Sequence, residues 1–338
     1  MNMNPLIHNQ RILEKTVPSM RYDGSRPFAE WQKEARSLLS ELLGLDKMEK
    51  CDGSFALEYK KELDGYTEYR FTVESERDYY FPAVLRIPRG LSGKAPVIIC
   101  LQGHSTGFHI SLGEPKFPRD KTSIASGDRD FAVRAVKEGY AALAIEQRCC
   151  GVCGSNSDGI PYCELSSMVA IMNGRTTIGE RVWDVSRAID ALENHFSELV
   201  ETDKVCLMGN SGGGTATYYA AAIDERIKLA MPSCAVCSWE ESIAAMDHCI
   251  CNYVPHIAEH FNMSDIGGLI APRPLIIVNG KTDEIFRKKG VDATFEEVKK
   301  LYATAGAPDA CRHVEGPEGH RFYADASWPV LHELKKKI

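Results

Sequence analysis

A serine hydroxyl is a weak nucleophile until a neighbouring base takes its proton. Ser211 lies in Gly209-Asn210-Ser211-Gly212-Gly213-Gly214, behind the apolar run 205–208 and ahead of the alanine-rich segment 215–222. A G-x-S-x-G sequence between a strand and a helix predicts a sharp turn that lifts the serine above a sheet. The residues two before and two after it must be small, as Gly209 and Gly213 are. The turn also puts Ser211 at a helix N-terminus, where the Gly212 amide is placed to donate to an oxyanion. A glycine-rich turn without chemistry is the plain alternative, and the strand before and helix after weigh against it. In this arrangement an orienting acid and then a histidine base follow along the chain, each just past a strand end. Asp283 follows the run 275–278 across Asn279-Gly280-Lys281-Thr282, and His320 follows 312–314 across Gly316-Pro317-Glu318-Gly319. Glu284 is the alternate acid, and Asp283 could instead be a turn or helix-cap residue. His313 and the histidines of 233–268 are rival bases, but none has both the loop context and the order.

A second oxyanion donor is expected from the loop after the run 97–101, which reads Gln102-Gly103-His104-Ser105-Thr106-Gly107. By position it is the backbone amide of His104, a role indifferent to the side chain. The imidazole itself reads equally as an ordinary loop histidine or a substrate contact. The run 141–145 ends in Glu146-Gln147-Arg148-Cys149-Cys150-Gly151, which brings Arg148 to the same rim. An ion pair to Asp184 or Glu180 suits Arg148 better than substrate binding, because such arginines more often brace loops. Cys149 and Cys150 have no acid and histidine ordered around them as nucleophiles would.

These positions need a scaffold. From residue 96 onward, short apolar runs at 97–101, 141–145, 205–208, 227–231 and 275–278, with a weaker strand at 312–314, alternate with amphipathic segments, the pattern of buried parallel strands and crossover helices. The clearest helix is 180–196, with Val182, Val185, Ile189, Leu192 and Phe196 on one stripe. Residues 27–48 read as helix, and 69–73 and 83–87 as a strand pair. The expected fold is α/β, a mostly parallel doubly wound sheet. Residues 1–65 are expected as a helical extension packed on a catalytic domain at 66–338. The stretch 233–268 exceeds a plain crossover and reads as a helical insertion over the strand ends, where ligands bind in such sheets. Its Trp239, Tyr253 and Phe261 are candidates for the pocket wall, Trp239 and Tyr253 as substrate-binding residues with Arg148.

At 338 residues, 44% of them hydrophobic, the chain can bury one large core. A net charge of −7 offers no basic patch for nucleic acid, and no apolar run reaches the ~20 residues needed to cross a bilayer. Residues 1–16 are polar and lack the apolar core of a secretory signal, so a cytoplasmic location is expected. A homo-oligomer is left open. Two C-x-x-C spacings, Cys150/Cys153 and Cys234/Cys237, would supply four thiolates to zinc if the fold joined them, but far-separated pairs are a loose pattern and reduced packed thiols are preferred.

Together the strand–GNSGGG–helix unit, the NGKTDE loop at 279–284, the GPEGH loop at 316–320 and the EQRCCG rim at 146–151 resemble one enzyme group. It is the acetyl xylan esterase and cephalosporin C deacetylase group of the α/β-hydrolase superfamily, close to the dienelactone-hydrolase-like families. The resemblance runs over roughly residues 66–335. It implies hydrolysis of a carbohydrate or small-molecule ester through an acyl-enzyme, without a metal or organic cofactor. It puts the nucleophile on Ser211, the acid on Asp283, the base on His320 and the oxyanion amides on Gly212 and His104. The family motif often has Gln where this chain has Gly212, and Asp-x-Arg-Gly where it has Glu146-Gln147-Arg148-Cys149. An amidase or peptidase of the same fold and a non-catalytic binding protein are the rival readings. Activity on amides separates the first; a filled triad weighs against the second.

Overall fold

The computed structural model describes residues 3–338. Nine strands among them form one sheet: β1 (Phe55–Leu63), β2 (Tyr66–Glu76), β3 (Tyr79–Pro88), β4 (Val97–Leu101), β5 (Ala141–Ile145), β6 (Val205–Asn210), β7 (Ile227–Ser233), β8 (Leu275–Gly280) and β9 (Cys311–Gly316). Their order is β1-β2-β3-β5-β4-β6-β7-β8-β9. From β5 to β9 all pairs are parallel, whereas β1, β2 and β3 form an antiparallel meander that joins β5 antiparallel. The central parallel strands β4 and β5 are unbroken apolar runs, buried throughout because helices cover both faces, whereas β9 at the sheet's edge is mixed in sequence and only partly buried.

The helices are α1 (Pro5–Lys15), α2 (Phe28–Leu42), α3 (Pro118–Gly127), α4 (Phe131–Lys137), α5 (Glu164–Met172), α6 (Thr177–His195), α7 (Gly212–Ile223), α8 (Ile257–His260), α9 (Met263–Ile270), α10 (Lys288–Thr304) and α11 (Ala324–Lys335). Strand side chains alternate between two cores, as the period of two requires. Val97, Ile99 and Leu101 meet Trp31 of α2, Val182 and Ile189 of α6 and Ile266 of α9 on one face. Ile98 and Cys100 meet Phe131 of α4 and Trp328 and Leu331 of α11 on the other. α6 begins slightly ahead of its expected start, where the Thr176 hydroxyl accepts from the Gly179 amide as an N-cap.

Two expectations need correction. Residues 55–63 are strand β1 rather than part of a helical extension, and they pair along β2. The strand is mostly exposed, so it has no apolar face for a sequence pattern to mark. The stretch 233–268 is mainly irregular: 3₁₀ turns at Trp239–Glu241 and Ile250–Asn252, the single-turn α8, and a proper helix only at α9. Asp247, Asn252 and Pro255 interrupt any helical period there. No helix of the described residues is long and apolar enough to cross a membrane.

Candidate active site

Ser211 caps the N-terminus of α7 directly after β6, with φ 55° and ψ −125°. Few non-glycine residues occupy that region, and the fold holds Ser211 there by two backbone bonds. Its amide donates to Ser233 O at 2.8 Å, and its carbonyl accepts from the Thr215 amide at 2.8 Å. The glycines around it are needed for space. A Cβ on Gly209 would strike the Gly213 carbonyl, and one on Gly213 would strike the carbonyls of Leu101 and Gln102. The loop after β4 therefore lies directly on the turn. A Cβ on Gly103 would come within 2.8 Å of Asn210 O and 3.0 Å of Ser211 Cβ.

Asp283 and His320 meet from the loops after β8 and β9. His320 Nδ1 is 2.9 Å from Asp283 Oδ2, while Asp283 Oδ1 accepts from the amides of Ile285 and Phe286 at 2.8 and 3.1 Å. With Nδ1 donating to the carboxylate, Nε2 is the nitrogen left to act as a base. The Asp283 side chain is fully buried. Burial pushes its pKa up, but the His320 bond and charge and the two amides outweigh it and hold the carboxyl below its ordinary range. Phe286 stacks along the imidazole at 5.9 Å and 16°. Of the rivals, Glu284 is exposed, His313 stays on β9 bonded to Asn279, and His256 and His260 pair with Glu259 and Ser19. His248, in contrast, borders the same cavity as Ser211, with its Nε2 3.2 Å from Ser242 Oγ and no carboxylate partner among the described residues.

Ser211, Gly212, His104 and His320 line one cavity of about 340 Å³. The structure does not bring the three expected substrate-binding residues to it. Trp239 is buried in the core with its indole N–H on Phe261 O at 2.9 Å, and Phe261 is itself core. Tyr253 is partly exposed and donates to Ile243 O at 3.0 Å. Both aromatics serve the insertion's own packing, because its irregular backbone leaves carbonyls that need donors. Arg148 is in an ion-pair network with Glu76 at 2.7 Å, Asp184 at 2.9 Å and Glu180 at 3.6 Å, and lies over the Tyr79 ring at 4.0 Å. It borders a separate and larger cleft of about 570 Å³. The wall contributed by the insertion is instead Met246, Asp247, His248, Cys249 and Asn252, and Arg129 completes it. The choice of large rings as pocket wall missed these smaller and polar residues, of which the sequence marks only His248, and then as a rival base.

The loop after β4 and the rim after β5 are bonded to each other. Gln102 Nε2 donates to Glu146 Oε1 at 2.8 Å, Glu146 Oε1 also accepts from the Phe108 amide at 3.0 Å, and Gln147 Nε2 donates to the Gln102 carbonyl. This buried cluster pins the loop that carries His104. Burial lifts the Glu146 carboxyl to about 7, against the amides of Phe108 and Val152. The C-x-x-C pairs are not joined. Cys234 stands beside Asp283 and His320, while Cys153 lies near Tyr80 and Cys237 near Arg287.

The comparisons converge on this architecture. A family model described as glucuronyl esterase, fungi, matches residues 173–239. The chain is 28% identical over 242 residues, 71% of its own length and 77% of the relative's, to the Bacillus subtilis (strain 168) protein named "Putative hydrolase YtaP". Among solved structures it superposes on "a putative acetyl xylan esterase" from Bacteroides fragilis with a TM-score of 0.83 at 19% identity, covering 99% of this chain and 96% of that one. A glucuronoyl esterase from Solibacter usitatus gives 0.69 at 16% identity, over 95% and 97% of the two chains. The chain has the α/β-hydrolase fold.

Proposed function

We propose that this protein is a serine esterase that removes short acyl groups, acetyl first, from a carbohydrate or small-molecule alcohol. The observation that carries the proposal is the convergence of the strained Ser211 turn and the His320–Asp283 pair on one cavity. His320 Nε2 takes the Ser211 proton as Oγ attacks the ester carbonyl. The amides of Gly212 and His104 hold the oxyanion, and the protonated imidazole gives its proton to the departing alcohol. Water, deprotonated by the same nitrogen, then releases the acid and restores Ser211. Asp283 fixes the tautomer and stabilises the imidazolium without taking the proton.

The short-acyl reading rests on volume and closure. About 340 Å³ is near the low end for small-molecule pockets, and 246–252 closes one side. Each added methylene gains only ~0.8 kcal/mol by burial, while overpacking a tight site costs ~1–3 kcal/mol. The relatives named glucuronoyl esterases suggest a second arrangement, with the sugar on the acid side of the ester rather than the alcohol side. The deciding experiment is kcat/KM across aryl esters of graded length, beside a peracetylated sugar, a methyl uronate and an aryl amide. Acetyl above octanoyl, with turnover of the acetylated sugar, is expected. Preference for long chains defeats the short-acyl reading, methyl uronate turnover alone moves the sugar to the acid side, and preference for the amide replaces the esterase with an amidase.

A further inference from the structure

We propose that His104, Cys163, Cys249 and Cys251 form a closed tetrahedral Zn²⁺ site that ties the insertion to the loop carrying the second oxyanion donor. The four ligand atoms, one imidazole nitrogen and three sulfurs, all lie within 4.8 Å of one another. They come from the loop after β4, the residue before α5 and the irregular middle of the insertion, so only the tertiary fold assembles them. His104 Nε2 is 3.0 Å from Cys251 Sγ. Zn–S bonds of about 2.3 Å and Zn–N of about 2.0–2.1 Å put tetrahedral ligands about 3.5–3.8 Å apart, so small adjustments convert this group into a three-cysteine, one-histidine site. Cys249 and Cys251 are only two apart, but the chain turns into the 3₁₀ segment Ile250–Asn252 between them, which lets both thiols serve one point.

Charge is the independent argument. Arg181 is buried, and among the described residues it has no carboxylate partner. Its guanidinium meets Arg148 O at 2.9 Å, Cys251 Sγ at 3.5 Å and Cys163 Sγ at 3.7 Å, and its Nε has no partner. A guanidinium surrounded by neutral thiols is an uncompensated buried charge, which folds do not tolerate cheaply. Three thiolates on one Zn²⁺ leave a single net negative charge, and Arg181 neutralises it. The geometry of Gly212 agrees. A Cβ there would come within 2.8 Å of His104 Cε1 and 2.9 Å of Nδ1, so the imidazole occupies the space where a side chain after the nucleophile would stand. Gly212 is thus the residue that admits His104 as a ligand.

All four positions are filled by protein, so the ion is structural rather than a Lewis acid for substrate. Cys149 packs beside Cys163 and Cys251 but lies outside the four-ligand group. The second described group with ligand spacing, Cys234 with Asp283 and His320, shares the proposed triad and has a single sulfur.

The test uses the full chain, expressed with zinc and purified under reducing conditions without chelator. Elemental analysis should find about one zinc per chain. C163S and C251S should lose it, while C149S, C234S and S211A should retain it. Because a ligand variant can lose metal by failing to fold, the wild-type chain exchanged with Co²⁺ supplies a second reading: thiolate-to-cobalt charge transfer with intense tetrahedral d–d bands. Less than about a tenth of an equivalent after reconstituting the reduced chain with Zn²⁺ overturns the site. So does octahedral cobalt, a disulfide among Cys163, Cys249 and Cys251 in protein protected from oxidation, or zinc lost in C234S and kept in C163S. Metal content is read without substrate, so it stands or falls separately from the esterase reading. The positioning role does rest on that reading: stripping the zinc should lower kcat on the order of 10²-fold, with recovery on adding Zn²⁺ back.

Discussion

Asp283 divides its two oxygens between tasks, one for the imidazole and one for the amides of Ile285 and Phe286. Asp283→Asn preserves the amide acceptor but offers an N–H₂ or a weaker acceptor to Nδ1, disfavouring the tautomer that leaves Nε2 as base. We expect kcat to fall on the order of 10²–10⁴-fold with the fold unchanged by circular dichroism. Glu284→Gln, at an exposed site, should leave kcat near wild type, and a larger loss there would reassign the acid. Ser211→Ala should remove nearly all ester turnover, leaving only what oxyanion donors and binding provide. An active Ser211→Ala on every ester would remove Ser211 from the mechanism. The residues of this arrangement were legible because chemistry imposes both type and order on them. Arg129 and Asn252, which reach the same cavity, were not, since a lone polar residue has no sequence mark for the wall it joins.

At the scale of elements, the parallel strands and α6 could be read from the sequence because burial on two faces or one stripe writes a period into the residues. β1 could not, since an exposed edge writes none. The insertion was visible by its length but not by its shape, and Trp239 shows the consequence. A large ring near the strand ends reads as pocket wall, yet its indole N–H closes the insertion onto the core at Phe261. Trp239→Ala should therefore cost about 3–5 kcal/mol of stability, measured by denaturant unfolding, and leave the acetyl-to-octanoyl ratio unchanged. A shifted ratio at unchanged stability would return the ring to the pocket. The glycine turn gives a companion expectation. Gly213→Ala sets a methyl against the Leu101 and Gln102 carbonyls and should separate the loop after β4 from α7, lowering both stability and kcat.

For the whole molecule, the buried carboxyls set a pH dependence. Glu146 is held at about 7 and Asp265 at about 7, both by burial, against ordinary values of 4.5 and 3.8. Between those limits the folded chain keeps protons that the unfolded chain releases, so their contribution is full below the ordinary values and is lost as pH rises through about 7. Asp283 has the opposite sign: its depressed pKa supports the fold above 3.8 and is lost as pH falls through its folded value. The share of stability from Glu146 and Asp265 should thus decline between about pH 4 and 7, while His109 and His313, whose pKa burial lowers, contribute with the opposite sign, and Glu146→Gln should remove the Glu146 share of the decline. Identical slopes in the two proteins would mean that Glu146 is ionised within the fold.

The outer strand β1 has a consequence for how these molecules crowd. The outer side of an edge strand of this length is ordinarily a template on which another chain can lay its own backbone. Here the rim carries Glu58, Lys60, Lys61 and Glu62, and the pairing slips between Leu57 and Tyr59. A second sheet approaching this rim would have to strip water from those charges and match a bend. The sheet therefore ends where the chain ends it, and concentrated protein is guarded on this side against ribbon-like growth.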